Sequence, residues 1–191
     1  AWDGQPADVF VASRHSPEAR ELGIRDAEVL AVSRSAEIAV LLRRDRLTGQ
    51  GTLARVPIAG GVPREIANGV LYADFSPDGT DMAIIRANGS GFRLEYPIGK
   101  LRYETPHYIR DVRVSPDAKT IAFLEPHGGA TDIAVVEEGA APEPVARGWS
   151  RGASGLAWSP DGKQLWISGT DSAAPPSLWA VGMGGATRLV S

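Results

Sequence analysis

Apolar residues in this chain come in short runs broken by tight polar turns, and no stretch sustains the 3.6-residue spacing of a long amphipathic helix. The clearest case is Leu71-Tyr72-Ala73-Asp74-Phe75 and Met82-Ala83-Ile84-Ile85, on either side of Ser76-Pro77-Asp78-Gly79-Thr80-Asp81. Pro77 presets φ for the first central turn position, Asp78 suits the second, and Gly79 can take the positive φ that follows. The flanks alternate or run together as half-buried and buried strands do. The pattern therefore predicts strand, turn, strand.

The same unit recurs. Val112-Arg113-Val114 and Thr120-Ile121-Ala122-Phe123 flank Ser115-Pro116-Asp117-Ala118-Lys119, and Leu156-Ala157-Trp158 and Gln164-Leu165-Trp166-Ile167 flank Ser159-Pro160-Asp161-Gly162-Lys163. A worn copy runs from Leu30 to Leu41 around Ser33-Arg34-Ser35-Ala36. After each hairpin comes a second pair of short strands, with turn signals such as Gly60-Gly61 and Gly184-Gly185. A period of about forty residues built from two hairpins is that of a four-stranded propeller blade.

The expected fold is an all-β propeller segment over residues 1–191, with blades near 27–68, 69–106, 107–148 and 149–191. Residues 2–24 read as a half blade ahead of them, carrying Asp8–Ala12 and Ala19–Ile24 as strands. Ser16 to Leu22 has helix-like spacing but is too short to stand alone. Half a blade plus four leaves no strands for pairing the chain ends into a closed ring, so the expectation is a segment of a larger propeller, truncated or completed by another chain. Open blade edges would then favour homo-oligomers.

Composition narrows the chemistry. The net charge of −3 gives no basic footprint, which disfavours nucleic acid as a partner. With no cysteine there are no disulfides and no thiolate metal sites. No apolar run is long enough to span a bilayer, so direct membrane insertion is not expected.

Candidate catalytic groups are sparse. Gly148-Trp149-Ser150-Arg151-Gly152 matches the G-x-S-x-G elbow, which needs a strand before it, a helix after it and a downstream histidine. A strand follows instead, no histidine lies beyond Ser150, and the match reads as chance. His15, His107 and His127 fall in different units without ligand spacing. Asp74, Asp78, Asp117 and Asp161 recur because turns and strand ends use them. Asn88-Gly89-Ser90 fits a glycosylation pattern but is first a hairpin loop, and Arg43-Arg44-Asp45-Arg46 reads as a solvated charged loop. No catalytic residue, cofactor site or metal site is assigned. Trp149, Trp158, Trp166 and Trp179 concentrate in the last unit; Trp158 and Trp166 are expected between blades, and an exposed one would mark an interaction surface.

The Ser-Pro-Asp-Gly hairpins resemble the WD-like repeats of TolB-type periplasmic propellers. More specific segments, Leu53–Glu65, Leu94–Lys100, Leu178–Val181 and Thr187–Val190, resemble the C-terminal propeller of bacterial eukaryotic-like serine/threonine protein kinases. That resemblance implies a sensory or scaffold domain following a kinase domain, often with a membrane segment between them. The Gly-rich, His-Arg-Asp and Asp-Phe-Gly motifs of the kinase are missing from these residues, so no catalytic role carries over. The function expected is protein or peptide interaction, or ligand sensing. The alternatives are the substrate-gating propeller of a prolyl-oligopeptidase-type peptidase and a freestanding TolB-like scaffold. The resemblance favours an extracytoplasmic location and leaves a cytoplasmic one open.

Overall fold

A computed structural model describes residues 8–14, 16–150, 153–169 and 176–190. Its regular elements are all strands. The first sheet pairs β1 (Asp8–Ser13) with β2 (Ser16–Arg25). The segment with helical spacing lies within β2, where pairing with β1 decides its conformation. Next come β3 (Ala27–Val32), β4 (Glu37–Leu42), β5 (Gly51–Pro57) and β6 (Arg64–Phe75). They continue into β7 (Met82–Asn88), β8 (Gly91–Glu95) and β9 (Leu101–Thr105). Two further antiparallel four-stranded sheets follow in simple order: β10 (Arg110–Val114), β11 (Thr120–His127), β12 (Ala130–Glu137) and β13 (Glu143–Ser150), then β14 (Ser154–Trp158), β15 (Gln164–Gly169), β16 (Ser177–Gly182) and β17 (Thr187–Leu189).

Strands β3 to β9 are hydrogen-bonded as one sheet because β6 serves twice. Its first part pairs with β5 as an outer strand, and from Val70 onward it pairs with β7 as the inner strand of the next blade. Gly69, at φ +69°, marks the changeover. Asp26, at φ +50°, occupies the matching place between β2 and β3.

Each Ser-Pro-Asp turn is built alike. The amide of the residue in the glycine position donates to the serine carbonyl, at 2.8 Å for Gly79 and 2.9 Å for Ala118 and Gly162. The aspartate accepts from the serine hydroxyl at 2.5 Å in the first and 2.6 Å in the other two. Those hydroxyls and nearby backbone amides hold Asp78, Asp117 and Asp161 below the usual carboxylate range. The worn copy is one residue shorter: Ser33 pairs with Glu37, four residues on, where Ser76 pairs with Asp81.

The core lies between sheets. In β4, Ile38, Val40 and Leu42 pack towards Val9, Leu22 and Ile24 of the first sheet, while Ala39 and Leu41 pack towards Phe75, Met82 and Ile84. The same division recurs in β11, where Ile121 and Phe123 face Ile85 and Leu94, and Ala122 and Leu124 face Leu156, Leu165 and Ile167. A fully buried Leu, Ile or Phe contributes about 1.5–3 kcal/mol. An exposed ion pair adds about 0–1 kcal/mol, so apolar seams dominate the cohesion.

Ala118 has φ +62° at the position that Gly79 and Gly162 fill at +76° and +71°. An L-residue with a Cβ is strained there by roughly 1–2 kcal/mol, partly offset by the contact its methyl makes with the adjacent core. Ala118→Gly is expected to raise the melting temperature by a few degrees; an unchanged or lower value would remove strain as the deciding factor.

Candidate functional site

The inner strands β3, β6, β10 and β14 each carry one irregularity in pairing with their hairpin partner, near Leu30, Leu71, Asp111 and Gly155. A bulge bends its strand and re-aims side chains. In β10 the residue concerned is Asp111, at φ +55°, a conformation that Asp tolerates better than most non-glycine residues. Its carboxylate lies 2.5 Å from the Arg110 guanidinium, which also donates to the Ala153 carbonyl of the next blade. Both anchors fix the guanidinium at the end of the inner strand.

Beside it, the Tyr108 and Tyr72 hydroxyls share a hydrogen bond of 2.8 Å, joining two blades. Tyr108 also meets Phe92 edge to face, with ring centroids 5.3 Å apart. Burial, then the bond to Tyr108, pushes the Tyr72 phenol well above the usual tyrosine range, so it stays neutral. Tyr108 remains 39% exposed despite these contacts. A groove of about 530 Å³ opens next to it, lined by Tyr108, Arg110 and the β11–β12 hairpin His127-Gly128-Gly129-Ala130. His127 Nε2 lies 3.1 Å from the Asp132 carboxylate, whose other oxygen accepts from the Gly148 amide at 2.9 Å. The result is a rigid rim: an aromatic ring, an oriented cation and a histidine around one concavity.

Deeper along the inner strands, Asp74 accepts from the Val114 amide at 2.9 Å, and Trp158 Nε1 donates to the Arg113 carbonyl at 3.1 Å. Burial, outweighing the Val114 bond and the charge of Arg113, raises the Asp74 pKa.

Most residues singled out from sequence are tied up structurally. Ser150 lies in β13, while Arg151 and Gly152 fall outside the described residues, as does His15. His107 and His127 belong to no cluster: no group of three potential ligands occurs among the described residues. Asp78, Asp117 and Asp161 are each spent on their own turn. Asn88 and Gly91 pair across the β7–β8 hairpin around Gly89 and Ser90. The loop Arg43-Arg44-Asp45 is more than solvated. Arg43 bonds Glu65 and Thr52, Arg44 pairs with Glu28, and Asp45 accepts from the Leu47 and Thr48 amides. Trp158 does bridge two blades. Trp166 stands 38% exposed on the face of β15 that corresponds to the faces of β4, β7 and β11 covered by a following blade, where Ala39, Ala83 and Ala122 are fully buried.

No family model matches the chain, and no curated protein matches it by sequence. Solved structures do. TolB from Acinetobacter baumannii aligns over 97% of this chain and 49% of its own, at 16% identity and a TM-score of 0.73. A putative TolB from Agrobacterium tumefaciens aligns over 91% and 65%, at 19% identity and 0.70. The β-propeller domain of the Trilobed protease from Pyrococcus furiosus aligns over 98% and 65%, at 13% identity and 0.63. This chain thus spans about half to two-thirds of the length of these neighbours. The fold is an all-β propeller, and the neighbours include TolB-type propeller domains.

Replacing Asp74 by Asn keeps an acceptor for the Val114 amide and removes the buried charge. The folded-state pKa is raised, so the ionised form costs stability once pH exceeds the unfolded value, and that cost is absent below it. Asp74→Asn is therefore expected to melt higher than the parent at pH 7, with the difference shrinking below about pH 4. A lower melting point at pH 7 would mean that the Val114 hydrogen bond and the nearby charge of Arg113 outweigh desolvation.

Proposed function

We propose that this chain is a non-catalytic binding propeller that engages a protein or peptide partner at the Tyr108–Arg110–His127 rim. The observation that carries the reading is the pair Tyr108 and Arg110, each immobilised by neighbours on two sides before any partner arrives, at the mouth of a groove. Tyr and Arg are, with Trp, the side chains enriched at binding hot spots, and fixing them in advance lowers the entropy lost on association. The recurring carboxylates Asp78, Asp117 and Asp161 are spent on their own turns.

A TolB-like scaffold is supported by the presence of TolB structures among the neighbours. Attachment to a serine/threonine kinase rests on the resemblance of Leu53–Glu65, Leu94–Lys100, Leu178–Val181 and Thr187–Val190 alone. The coding sequence upstream decides it, since a kinase domain there is what that setting requires. A propeller that gates a peptidase is the alternative, supported by the fold likeness to a protease's propeller domain. A hydrolase domain in the same gene would favour it.

The rim is tested by placing a photo-crosslinking residue at position 130, in the groove wall, and at position 47, on a remote exposed loop, in cells expressing the parent protein. A discrete adduct is expected from position 130 and none from 47, with Tyr108→Ala lowering the yield several-fold. Equal labelling from both positions, or a yield indifferent to Tyr108→Ala, would contradict the assignment.

A further inference from the structure

The outer parts of successive blades are latched by cations at three seams. Arg20 donates to the Ile58 carbonyl at 3.0 Å. Arg55 donates to the carbonyls of Gly79 and Thr80 at 2.7 and 3.2 Å, with its guanidinium 5.1 Å from the centre of the Phe75 ring. Lys100 and Arg102 converge on Glu138, Arg102 at 3.1 Å.

At the fourth seam, between β13 and the last blade, the described residues form no such cation latch. Arg102 and Pro144 are each the second residue of an outer strand. Glu138 and Met183 each follow the residue paired with the fifth position after a turn serine, Thr120 and Gln164 respectively. Pro144 and Met183 thus stand where the other seam has a cation and an anion. No ion pair joins β13 to β16 or β17 among the described residues. Trp149 and Trp179 meet edge to face there, with centroids 5.4 Å apart, and the Trp179 indole is anchored on the Gly169 carbonyl at 3.2 Å.

A groove of about 520 Å³ follows, lined by Pro144, Val145 and Trp149 on one side and Trp179 and Gly185 on the other. Strand β13 is the last of its sheet, so its outer backbone groups are free to pair. Among the described residues, Arg147 is the only charged side chain lining the groove, and it is exposed and forms no ion pair there. An unpaired strand edge, an aromatic floor and one cation together define the occupant: an extended chain with an apolar side chain and a nearby carboxylate.

We propose that this unlatched seam docks an extended segment of a partner protein. The segment adds to the edge of β13, rests an apolar side chain on the Trp149–Trp179 pair and turns an Asp or Glu towards Arg147. The inference is independent of the rim around Tyr108 and uses a different surface.

The probe is a library of random seven-residue peptides displayed on phage and selected on the immobilised protein, with parallel selection on Arg147→Glu. Selection on the parent is expected to enrich peptides with an acidic residue close to a large apolar one. The enriched peptide, made synthetically, should bind Arg147→Glu at least tenfold more weakly. It should bind Tyr108→Ala unchanged and shift the indole N–H resonances of Trp149 and Trp179. Enrichment of peptides without carboxylates, binding indifferent to Arg147→Glu, or shifts confined to other tryptophans would overturn the proposal. So would failure to enrich any peptide over Arg147→Glu. Loss of binding with Tyr108→Ala alone would place the peptide at the rim and overturn the seam assignment while leaving the proposed function intact.

Discussion

A sheet buried on both faces has no core of its own, and every other feature here depends on that constraint. Adjacent residues of a middle strand belong to different cores, as Ile38 and Ala39 do in β4 and Ile121 and Ala122 in β11. A shift of one residue in register would exchange the two sets and leave neither seam filled. The Ser-Pro-Asp turns set that register. Each fixes the inner hairpin through its own serine hydroxyl and aspartate, and Gly79 also sits tightly against Ser35 of the preceding blade, where an added Cβ would come within 2.5 Å of the hydroxyl.

This constraint explains what could be read from sequence. Strand-turn-strand units, the four-stranded repeat and the tension at Ala118 all follow from local residue types and their spacing. The sharing of β6 between two blades did not show, because Gly69 looks like an ordinary turn residue and only the pairing on both sides reveals one continuous strand. Nor did the rim. Tyr72 and Tyr108, Asp74 and Val114, Arg110 and Ala153, and Arg113 and Trp158 are separated by 36, 40, 43 and 45 residues. Those separations lie near one repeat. Aligning the units and pairing each inner-strand residue with its counterpart one period away is the signal that would have found them. Trp166 lies on the face of β15 that in β4, β7 and β11 packs against a following blade, and no further sheet follows among the described residues.

Polar groups on the inner strands divide between holding blades together and remaining available. Asp74 and Trp158 spend their hydrogen-bonding capacity on backbone groups of a neighbouring blade. Tyr108 and Arg110 do the same yet keep part of their surface open, which is what a preorganised binding rim requires. At the periphery the contrast is sharper still. Three seams carry cation latches on their outer parts, and at the one carrying Pro144 and Met183 two indoles meet in their place. The repeat supplies equivalent positions in each blade, and individual substitutions at those positions decide whether a seam is sealed or left open to a partner.

The most direct test of this account is residue-resolved amide hydrogen exchange. Protection is expected to be greatest in the middle strands β4, β7 and β11, whose faces are buried in two cores at once. The Arg110 end of β10 should also be protected, while the outward-facing amides of β13 exchange far faster than those of β12. Protection of β13 equal to that of β12 would contradict the claim that this edge is free. Rapid exchange at the Arg110 end of β10 would contradict the claim that the rim is held rigid.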